Sequence, residues 1–572
     1  MTTESYSQQK NSTKNVILTN ECFEEIFKYL INDKDTLCSC LFVNRIFCKW
    51  VVKILWSQPF ALLKEIPSNK LIQILINCLR DEEKKDLLKK CTLNFDIFSK
   101  KYRQPLFNYL TFVRELNYWC FFESTNLWLR NILMEQRYNH VNPNITNQVI
   151  NTITIYLIKI IMIQGKHIRS LRWFNNDIYR DLPPIGRFPK DALSMVKYLS
   201  CGGFHIDDTA FNQLSKTCNN IIDLEISHYR KSHNSNLAAL IRLQKGLKHI
   251  TFNYISGGTW RLAAALHSQS STLRSLKFVN FDFTDVNSKG LVVCNNLKSL
   301  EFFDCHGIDN EKFWKPIIDN SNFHLKKLSF ARTIILSEVI EKFIINSNIN
   351  LEEFMVDRTV TIEMPYLMEM LANNCPNISF LKIFLNSLDE ISLLLSCISS
   401  FTKLKTLIIR TSACINISEI LPIFSNLIPL SLQLLDFDMK ISAESLQLFL
   451  ENCKAPIQRI IMNYSYVLED HIKVLINYVL EKESLKSIGY TYRTNWTSSD
   501  FSEFKFGVKE NLKLLEESAK EFVAFIDPVD PNDCLFQCVG DSEGWGSSVG
   551  LQNTWEDLEN LENLQTTWEN SL

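Results

Sequence analysis

The chain has almost no net charge. Its 572 residues include 61 lysine and arginine residues against 63 aspartate and glutamate residues, which leaves a formal charge of -2. A chain balanced in this way exerts no long-range attraction on phosphate groups. Nucleic acid and anionic membranes are therefore not expected as its main partners.

Segments that would carry the chain into or across a membrane are also missing. The first residues, MTTESYSQQKNSTKN, are polar and lack the apolar run of a secretory signal, which favours a cytoplasmic or nuclear location. The most apolar run starts at Val149, is interrupted by Asn151 and Lys159, and is too short for a membrane span. We expect it to form a buried helix.

Signatures of catalysis and of cofactor binding are absent from the sequence. No stretch has the pattern of a phosphate-binding loop, a nucleophile elbow or a metal-ligand cluster. The 17 cysteines are scattered through apolar contexts, without paired CxxC motifs and histidines at zinc spacing. We therefore expect reduced core cysteines, no cofactor, no metal and no catalysis by this chain.

What the sequence does contain is a repeated phrase. In NISFLKIFLN, residues 377–386, the apolar positions are Ile378, Leu381 and Ile383, and Asn386 closes the turn after the strand. Ten further copies begin at Ile221, Leu247, Leu273, Leu297, Leu325, Leu351, Leu404, Leu432, Ile457 and Leu485. The mean period of about 26 residues lies within the roughly 20–29 residues of a leucine-rich repeat.

A strand and a helix cannot bury their apolar faces alone, so such units must stack. Segments with helical spacing, for example 364–375, separate the strand phrases. The predicted fold is α/β, a right-handed leucine-rich-repeat solenoid with a curved parallel sheet inside and helices outside. Cys305 and Asn386 fit the usual ninth position of the repeat, where the side chains of Thr333, Thr359, Ser412 and Ser465 are also able to bond to a turn backbone.

A different pattern precedes the repeats. Residues 17–56 predict three short helices, the first capped by Thr19 and Asn20 and the last lined by residues such as Phe47 and Trp50. About forty residues make too small a core to be stable alone, so this bundle is expected to need a partner surface.

These residues resemble the F-box family. The matching positions are Leu18, Glu21, Ile26, Phe27, Leu30, Leu37, Leu41, Val43, Arg45, Trp50, Leu55 and Trp56, while Thr19 stands where the family has proline. The resemblance implies docking on a Skp1-like adaptor, and through it on a cullin, in an SCF ubiquitin ligase. The adaptor-binding residues that it implies are Leu18, Glu21, Ile26, Phe27, Leu30, Leu41, Val43 and Trp56.

An F-box-like start followed by repeats resembles the leucine-rich-repeat class of F-box proteins, whose repeats select the protein to be ubiquitinated. The predicted organisation is a disordered start (1–15), an F-box (16–57), a helical linker that caps the array (58–165), the repeats (166–515) and an acidic, mostly disordered tail (516–572). From Glu521 onward the tail has eleven acidic residues and no lysine or arginine. Within it, FVAFID (522–527) is a candidate for a last edge strand.

Target binding is expected on the concave face of the sheet, because alternation turns every second side chain of a strand away from the helices. The predicted target-binding residues are Met355, Asp357, Phe380, Lys382, Phe384, Ile408 and Arg410. Apolar groups flanked by charges at these positions are typical of a binding hot spot with a polar rim. The alternative is that loops or the acidic tail cover this face.

A second function stays open beside the ubiquitin-ligase receptor. In it the chain is a non-catalytic repeat scaffold or inhibitor, and the N-terminal bundle is only a helical cap. The departure at Thr19 favours this alternative.

Overall fold

The fold is described from a computed structural model of the chain. The described residues are 20–31, 33–61, 66–91, 104–135, 143–165, 167–174, 185, 188–203, 208–229, 234–309, 311–320, 322–357, 363–411, 415–463, 469–482, 484–485, 487–491 and 523–525. They belong to two compact units, Met1–Cys201 and Gly202–Leu572.

The first unit opens with three helices, where the sequence predicts three: α1 (Asn20–Tyr29), α2 (Lys34–Cys40) and α3 (Arg45–Leu55). Side-chain caps fix the starts of α2 and α3. Asp33 accepts the amide of Thr36 at 3.0 Å, and Asn44 accepts the amides of Ile46 and Phe47 at 2.9 Å. The Thr36 hydroxyl also donates to Asp33, which lowers the pKa of that carboxyl.

Aromatic contacts join α1 to α3. The ring of Phe47 on α3 meets Phe23 and Phe27 on α1 edge to face, with centroids 5.8 and 5.3 Å apart. Phe27 and Leu37 are buried, so each of the first two helices contributes to one small core.

The rest of the first unit alternates helices with three short strands. Its elements are α4 (Asn69–Asn77), α5 (Asp81–Cys91), β1 (Glu115–Asn117), α6 (Tyr118–Glu135), α7 (Pro143–Gly165), β2 (Ser170–Trp173), α8 (Lys190–Leu193) and β3 (Tyr198–Gly202). β2 pairs in parallel with both β1 and β3. The run from Val149 lies within α7, as predicted.

The parallel sheet starts earlier than the repeat phrase indicates. The prediction places the first strand near residue 168, but β1 already pairs with β2 from Glu115. The carbonyl of Ser57 accepts the amides of Arg114 and Glu115 at 2.8 and 3.0 Å. The carbonyl of Arg114 likewise accepts the amides of Arg169 and Ser170 at the start of the next strand. Ser57, directly after the three helices, thus occupies the position of a preceding strand.

The second unit repeats one strand and one helix. In chain order the elements are α9 (Asp208–Thr217), β4 (Asp223–Ser227), α10 (Ser235–Arg242), β5 (His249–Ile255), α11 (Thr259–Leu266), β6 (Ser275–Phe281), α12 (Lys289–Val292), β7 (Ser299–Phe303), α13 (Glu311–Asn320), β8 (Lys327–Ala331), α14 (Ser337–Ser347), β9 (Glu353–Asp357), α15 (Met364–Asn374), β10 (Phe380–Leu385), α16 (Leu388–Ile398), β11 (Thr406–Thr411), α17 (Leu421–Leu427), β12 (Leu434–Phe437), α18 (Ala443–Asn452), β13 (Arg459–Asn463), α19 (Glu469–Lys482), β14 (Ser487–Thr491) and β15 (Val523–Phe525).

From β4 onward every strand pairs in parallel with its neighbours in the chain, so this sheet is open and not a barrel. Parallel crossovers are nearly always right-handed, which places all the connecting helices on one face. Successive helices also contact each other along the chain. The predicted α/β class and the candidate last strand at Val523–Phe525 are confirmed.

Phenylalanines at matching positions stack between the sheet and the helices. Phe252, Phe278, Phe302 and Phe330 lie in one register, and consecutive ring centroids are 5.7, 5.4 and 5.7 Å apart. All four are buried. One apolar side chain per strand thus builds a continuous core.

The predicted turn contact at the ninth position is found at Thr333. Its hydroxyl donates to the Ala331 carbonyl at 2.9 Å and accepts the Cys305 amide at 3.1 Å. At Asn386 the bond runs from the backbone amide to the Glu390 carboxylate, at 2.6 Å, and does not use the Asn386 side chain. Thr359, Ser412 and Ser465 lie outside the described residues.

Candidate interaction surfaces

Large apolar side chains are exposed in the three-helix region. Six such residues fall between positions 26 and 46 and are called the apolar patch: Ile26, Tyr29, Ile31, Phe42, Val43 and Ile46. Tyr29 is 86% exposed, Phe42 55% and Val43 58%. Scattered exposed apolar residues are normal, but a concentration of them in one segment is typical of a protein-binding surface.

The secondary structure explains why these side chains face outward. α1 turns Phe27 inward against Phe47, which leaves Ile26 and Tyr29 on its outer face. Phe42 and Val43 lie in the short turn between α2 and α3, and both are exposed there.

The predicted adaptor-binding residues divide into exposed and buried ones. Ile26 and Val43 belong to the apolar patch, and Leu30 is half-buried. Phe27 and Leu41, in contrast, are buried in the small core, so the prediction that they contact an adaptor does not fit their position. Leu18 and the side chain of Glu21 lie outside what the structure describes.

Trp56 joins the three helices to the remainder of the first unit. Its ring stacks on Tyr109 with centroids 4.1 Å apart, and Phe60 meets Phe121 edge to face at 5.0 Å. Together with the Ser57 hydrogen bonds, these contacts indicate a structural role for Trp56, whereas the F-box resemblance implies that it binds the adaptor.

Sequence reasoning missed Tyr29, Ile31, Phe42 and Ile46 as surface residues. A signal was present, because a bundle of about forty residues has too little interior to bury that many large apolar side chains. Which of them face outward depends on the turns between the helices, and these were not resolved by the apolar spacing alone.

The predicted target-binding residues lie on β9, β10 and β11. Met355, Lys382 and Ile408 share one register across these strands, and alternation turns them to the face opposite the helices, here called the open face. The structure therefore brings the seven residues together as expected: Met355, Asp357, Phe380, Lys382, Phe384, Ile408 and Arg410.

The expectation that these side chains face solvent is wrong for four of them. Lys382 is only 1% exposed, and Met355, Asp357 and Phe384 are 6% exposed each. Phe380, Ile408 and Arg410 are half-buried. The alternation rule gives the face of a strand but not what covers that face.

Ion pairs compensate the charges on this part of the open face. The ammonium of Lys382 lies 3.7 Å from a carboxylate oxygen of Asp357. The guanidinium of Arg410 forms a two-pronged bond with Asp436, at 2.6 and 2.7 Å. Buried charges need such partners, so these pairs are structural contacts of the sheet.

A second set of side chains stands at the ends of β4 to β8. Each of these strands has a residue with left-handed backbone at its end, either directly after the strand (His228, Asp304, Arg332) or at its last residue but one (Tyr254, Asn280). Together they are called the strand-end row: His228 (φ 52°), Tyr254 (φ 55°), Asn280 (φ 47°), Asp304 (φ 51°) and Arg332 (φ 46°). Glycine adopts this conformation freely, whereas side-chain-bearing residues are disfavoured by about 1–2 kcal/mol. Five successive repeats nevertheless keep a side chain there.

Two pairs of neighbours in the strand-end row contact each other. The rings of His228 and Tyr254 stack, with centroids 4.7 Å apart and an interplanar angle of 11°. Arg332 holds Asp304 with two bonds of 2.7 and 2.9 Å. The backbone is fixed as well, since the amides of His228 and Arg332 donate to the next strand at 2.8 Å.

No protein-family model matches the chain, and no curated protein matches it either. The interaction surfaces are therefore argued from the geometry of this chain alone.

Burial disfavours the thiolate form of three cysteines in the second unit. It raises the pKa of Cys294, Cys305 and Cys375 to about 12. The fourteen cysteines that the structure describes are thiols outside disulfides, and its described residues contain no group of three or more possible metal ligands.

One helix among the described residues, Thr146–Gly165, is long and apolar enough to cross a membrane by length and composition alone. Half of its apolar window is buried inside the protein, and a core helix meets the same criterion.

Proposed function

We propose that the chain is the substrate-recognition subunit of an SCF-type ubiquitin ligase. The three-helix region is an F-box that binds a Skp1-like adaptor, and through it a cullin. The strand and helix units are leucine-rich repeats that hold the target protein. The chain contributes no catalysis of its own.

The observation that carries this proposal is the apolar patch. An F-box must offer an apolar surface to its adaptor, and six large apolar side chains are exposed within 21 residues of this chain. Interfaces are centred on aromatic and aliphatic groups that become fully desolvated. Phe42 and Tyr29 are suited to that role because both are rigid and exposed.

The mechanism is proximity. A target held on one part of the chain is brought beside the ubiquitin-charged enzyme, which is held through the adaptor. Their reaction is then intramolecular, with an effective concentration in the millimolar range. The contacts of Trp56 and Ser57 support this proposal, because a fixed junction after α3 limits the positions that the sheet of the first unit can adopt.

The test is direct binding of purified Skp1 to the full chain, measured by calorimetry. Ile26→Asp combined with Val43→Asp should weaken binding at least about 100-fold, since each hot-spot change costs about 2 kcal/mol or more. Both side chains are exposed, so the fold should persist, as checked by circular dichroism.

Ile345→Asp combined with Ile423→Asp is the matched control. These residues are also exposed, on α14 and α17, and binding of Skp1 should not change. Failure of the unaltered chain to bind Skp1, or equal binding by the patch variant, would contradict the proposal.

The alternative, a repeat scaffold that acts without a ligase, is favoured by Thr19 in place of the family's proline. The two functions differ in one result. Only the receptor supports ubiquitin transfer to a bound target when Skp1, a cullin and the charged enzyme are supplied.

A further inference from the structure

The strand-end row offers side chains of the second unit to a partner. All five of its residues, His228, Tyr254, Asn280, Asp304 and Arg332, are partly exposed. The predicted site on β9 and β10, in contrast, is buried at Met355, Asp357, Lys382 and Phe384.

The composition of the row also fits a protein contact. Tyrosine, histidine, asparagine and arginine join flat apolar surface to hydrogen-bonding groups, and tyrosine and arginine are enriched at interfaces. Four of the five residues are held by a neighbour in the row, in the pairs His228–Tyr254 and Asp304–Arg332, so these side chains lose little freedom on binding. Strained backbone of this kind is concentrated at functional sites.

The charges near the row disfavour an anionic ligand. On the open face of β4 to β8 and in the row, the described residues include four carboxylates (Asp223, Glu225, Glu301, Asp304) and three cations (Lys277, Lys327, Arg332), so that 3 minus 4 leaves a net charge of -1. The cations are already engaged. Arg332 holds Asp304, Lys327 lies 3.4 Å from Glu301 and 3.5 Å from Glu353, and Lys277 lies over the ring of Phe303.

A phosphate group binds best to arginines and lysines that are available to it. Because the cations of this surface already face carboxylates or a ring, a phosphopeptide would have to displace an existing contact. A neutral or basic segment meets no such cost, and a basic one gains from the slight negative charge.

We propose that the strand-end row binds an unphosphorylated polypeptide segment of neutral or positive charge. The inference rests on the proposed function only in identifying that segment as part of a degradation target. It implies that target capture does not depend on phosphorylation at the bound segment.

The probe is a phage-displayed library of random linear peptides, selected on the intact chain and followed by anisotropy measurements on the best binder. The selected peptides should be neutral or basic, and phosphorylation of a serine or threonine within the binder should weaken binding at least about fivefold. Tyr254→Gly combined with Arg332→Gly should weaken binding at least about tenfold. Glycine suits the left-handed backbone, so the double variant should remain folded.

Asn348→Gly is the matched control, because Asn348 also has a positive φ (32°) but caps α14 on the helix layer. It should bind the peptide as the unaltered chain does. The inference is overturned by selection of acidic peptides, by phosphorylation that tightens binding, or by unaltered binding to the double glycine variant. A chain that binds the peptide but not Skp1 would contradict the ligase function and leave this inference standing.

Discussion

Tyr254 provides a test of the left-handed backbone that does not depend on binding. At φ 55° a Cβ atom crowds the following carbonyl oxygen, and this cost is independent of the ring. We expect Tyr254→Gly to be more stable than Tyr254→Ala by about 1–2 kcal/mol, because both lose the stack on His228 but only alanine keeps a Cβ. Urea denaturation of the two variants measures this difference.

The order should reverse at an ordinary helical position. Ser392 is exposed within α16, and there the alanine variant should be more stable than the glycine variant by about 1 kcal/mol. If alanine were the more stable residue at position 254 as well, the left-handed conformation would not be the source of the strain.

Buried thiols should make stability fall in alkaline solution. Burial raises the pKa of Cys305 to about 12, whereas an unfolded cysteine ionises near about 8.5. The buried thiol contributes its full stability below the pKa of the unfolded state. This contribution is lost as pH rises from there through the pKa of the folded state, and the free energy of unfolding falls by at most about 1.4 kcal/mol per pH unit. Cys305→Ala should therefore be less stable than the unaltered chain at pH 7, and this deficit should shrink by pH 10.5.

The control for that titration is Ser392→Ala. Ser392 is exposed in α16 and its hydroxyl does not ionise in this range, so its stability difference from the unaltered chain should stay constant. Denaturation curves at pH 7, 9 and 10.5 compare the two variants. A Cys305 deficit that does not change with pH would contradict the expectation.

Among the elements, β10 is a strand with both of its faces buried. Phe384, on the open face, is 6% exposed, so Phe384→Ala should lower the free energy of unfolding by about 3–5 kcal/mol, as for a core phenylalanine. A solvent-facing residue would cost less than about 0.5 kcal/mol. Thermal or urea unfolding distinguishes the two values.

Phe42→Ala is the matched substitution in the apolar patch. Phe42 is 55% exposed, so its loss should leave stability within about 0.5 kcal/mol but weaken adaptor binding. Phe384→Ala should lower stability but leave adaptor binding unchanged, provided that the variant is assayed below its unfolding temperature. Equal effects of the two changes on stability would show that exposure does not separate them.

The repeat phrase predicted the strands of the second unit because burial on one side of a strand leaves a fixed apolar spacing. It missed β1, although Val113, Leu116 and Tyr118 keep that spacing, because α6 and α7 lengthen the interval to the next strand beyond one period. The strand-end row was also missed, since glycine, the usual mark of left-handed backbone, is absent from its five positions. Coverage of β9 and β10 could not be predicted, because it depends on contacts distant in sequence.

In the first unit, the junction at Trp56 and Ser57 determines how the three helices are held to the start of the sheet. The Ser57 carbonyl accepts two amides of the β1 region, and Trp56 stacks on Tyr109, so helix bundle and sheet share their contacts. If these contacts form one cooperative element, the Arg114 and Glu115 amides exchange with solvent only when the junction opens. Hydrogen exchange at these two amides therefore reports on the junction.

Trp56→Ala should speed the exchange of both amides by roughly fivefold to tenfold, since a stacked aromatic pair contributes about 1 kcal/mol beyond its buried area. Trp260→Ala is the control, because that ring is about half exposed on α11 of the second unit. Adaptor binding through Val43 should persist in both variants. Unchanged exchange in Trp56→Ala would mean that the Ser57 hydrogen bonds alone hold the bundle, and that the ring contributes only packing.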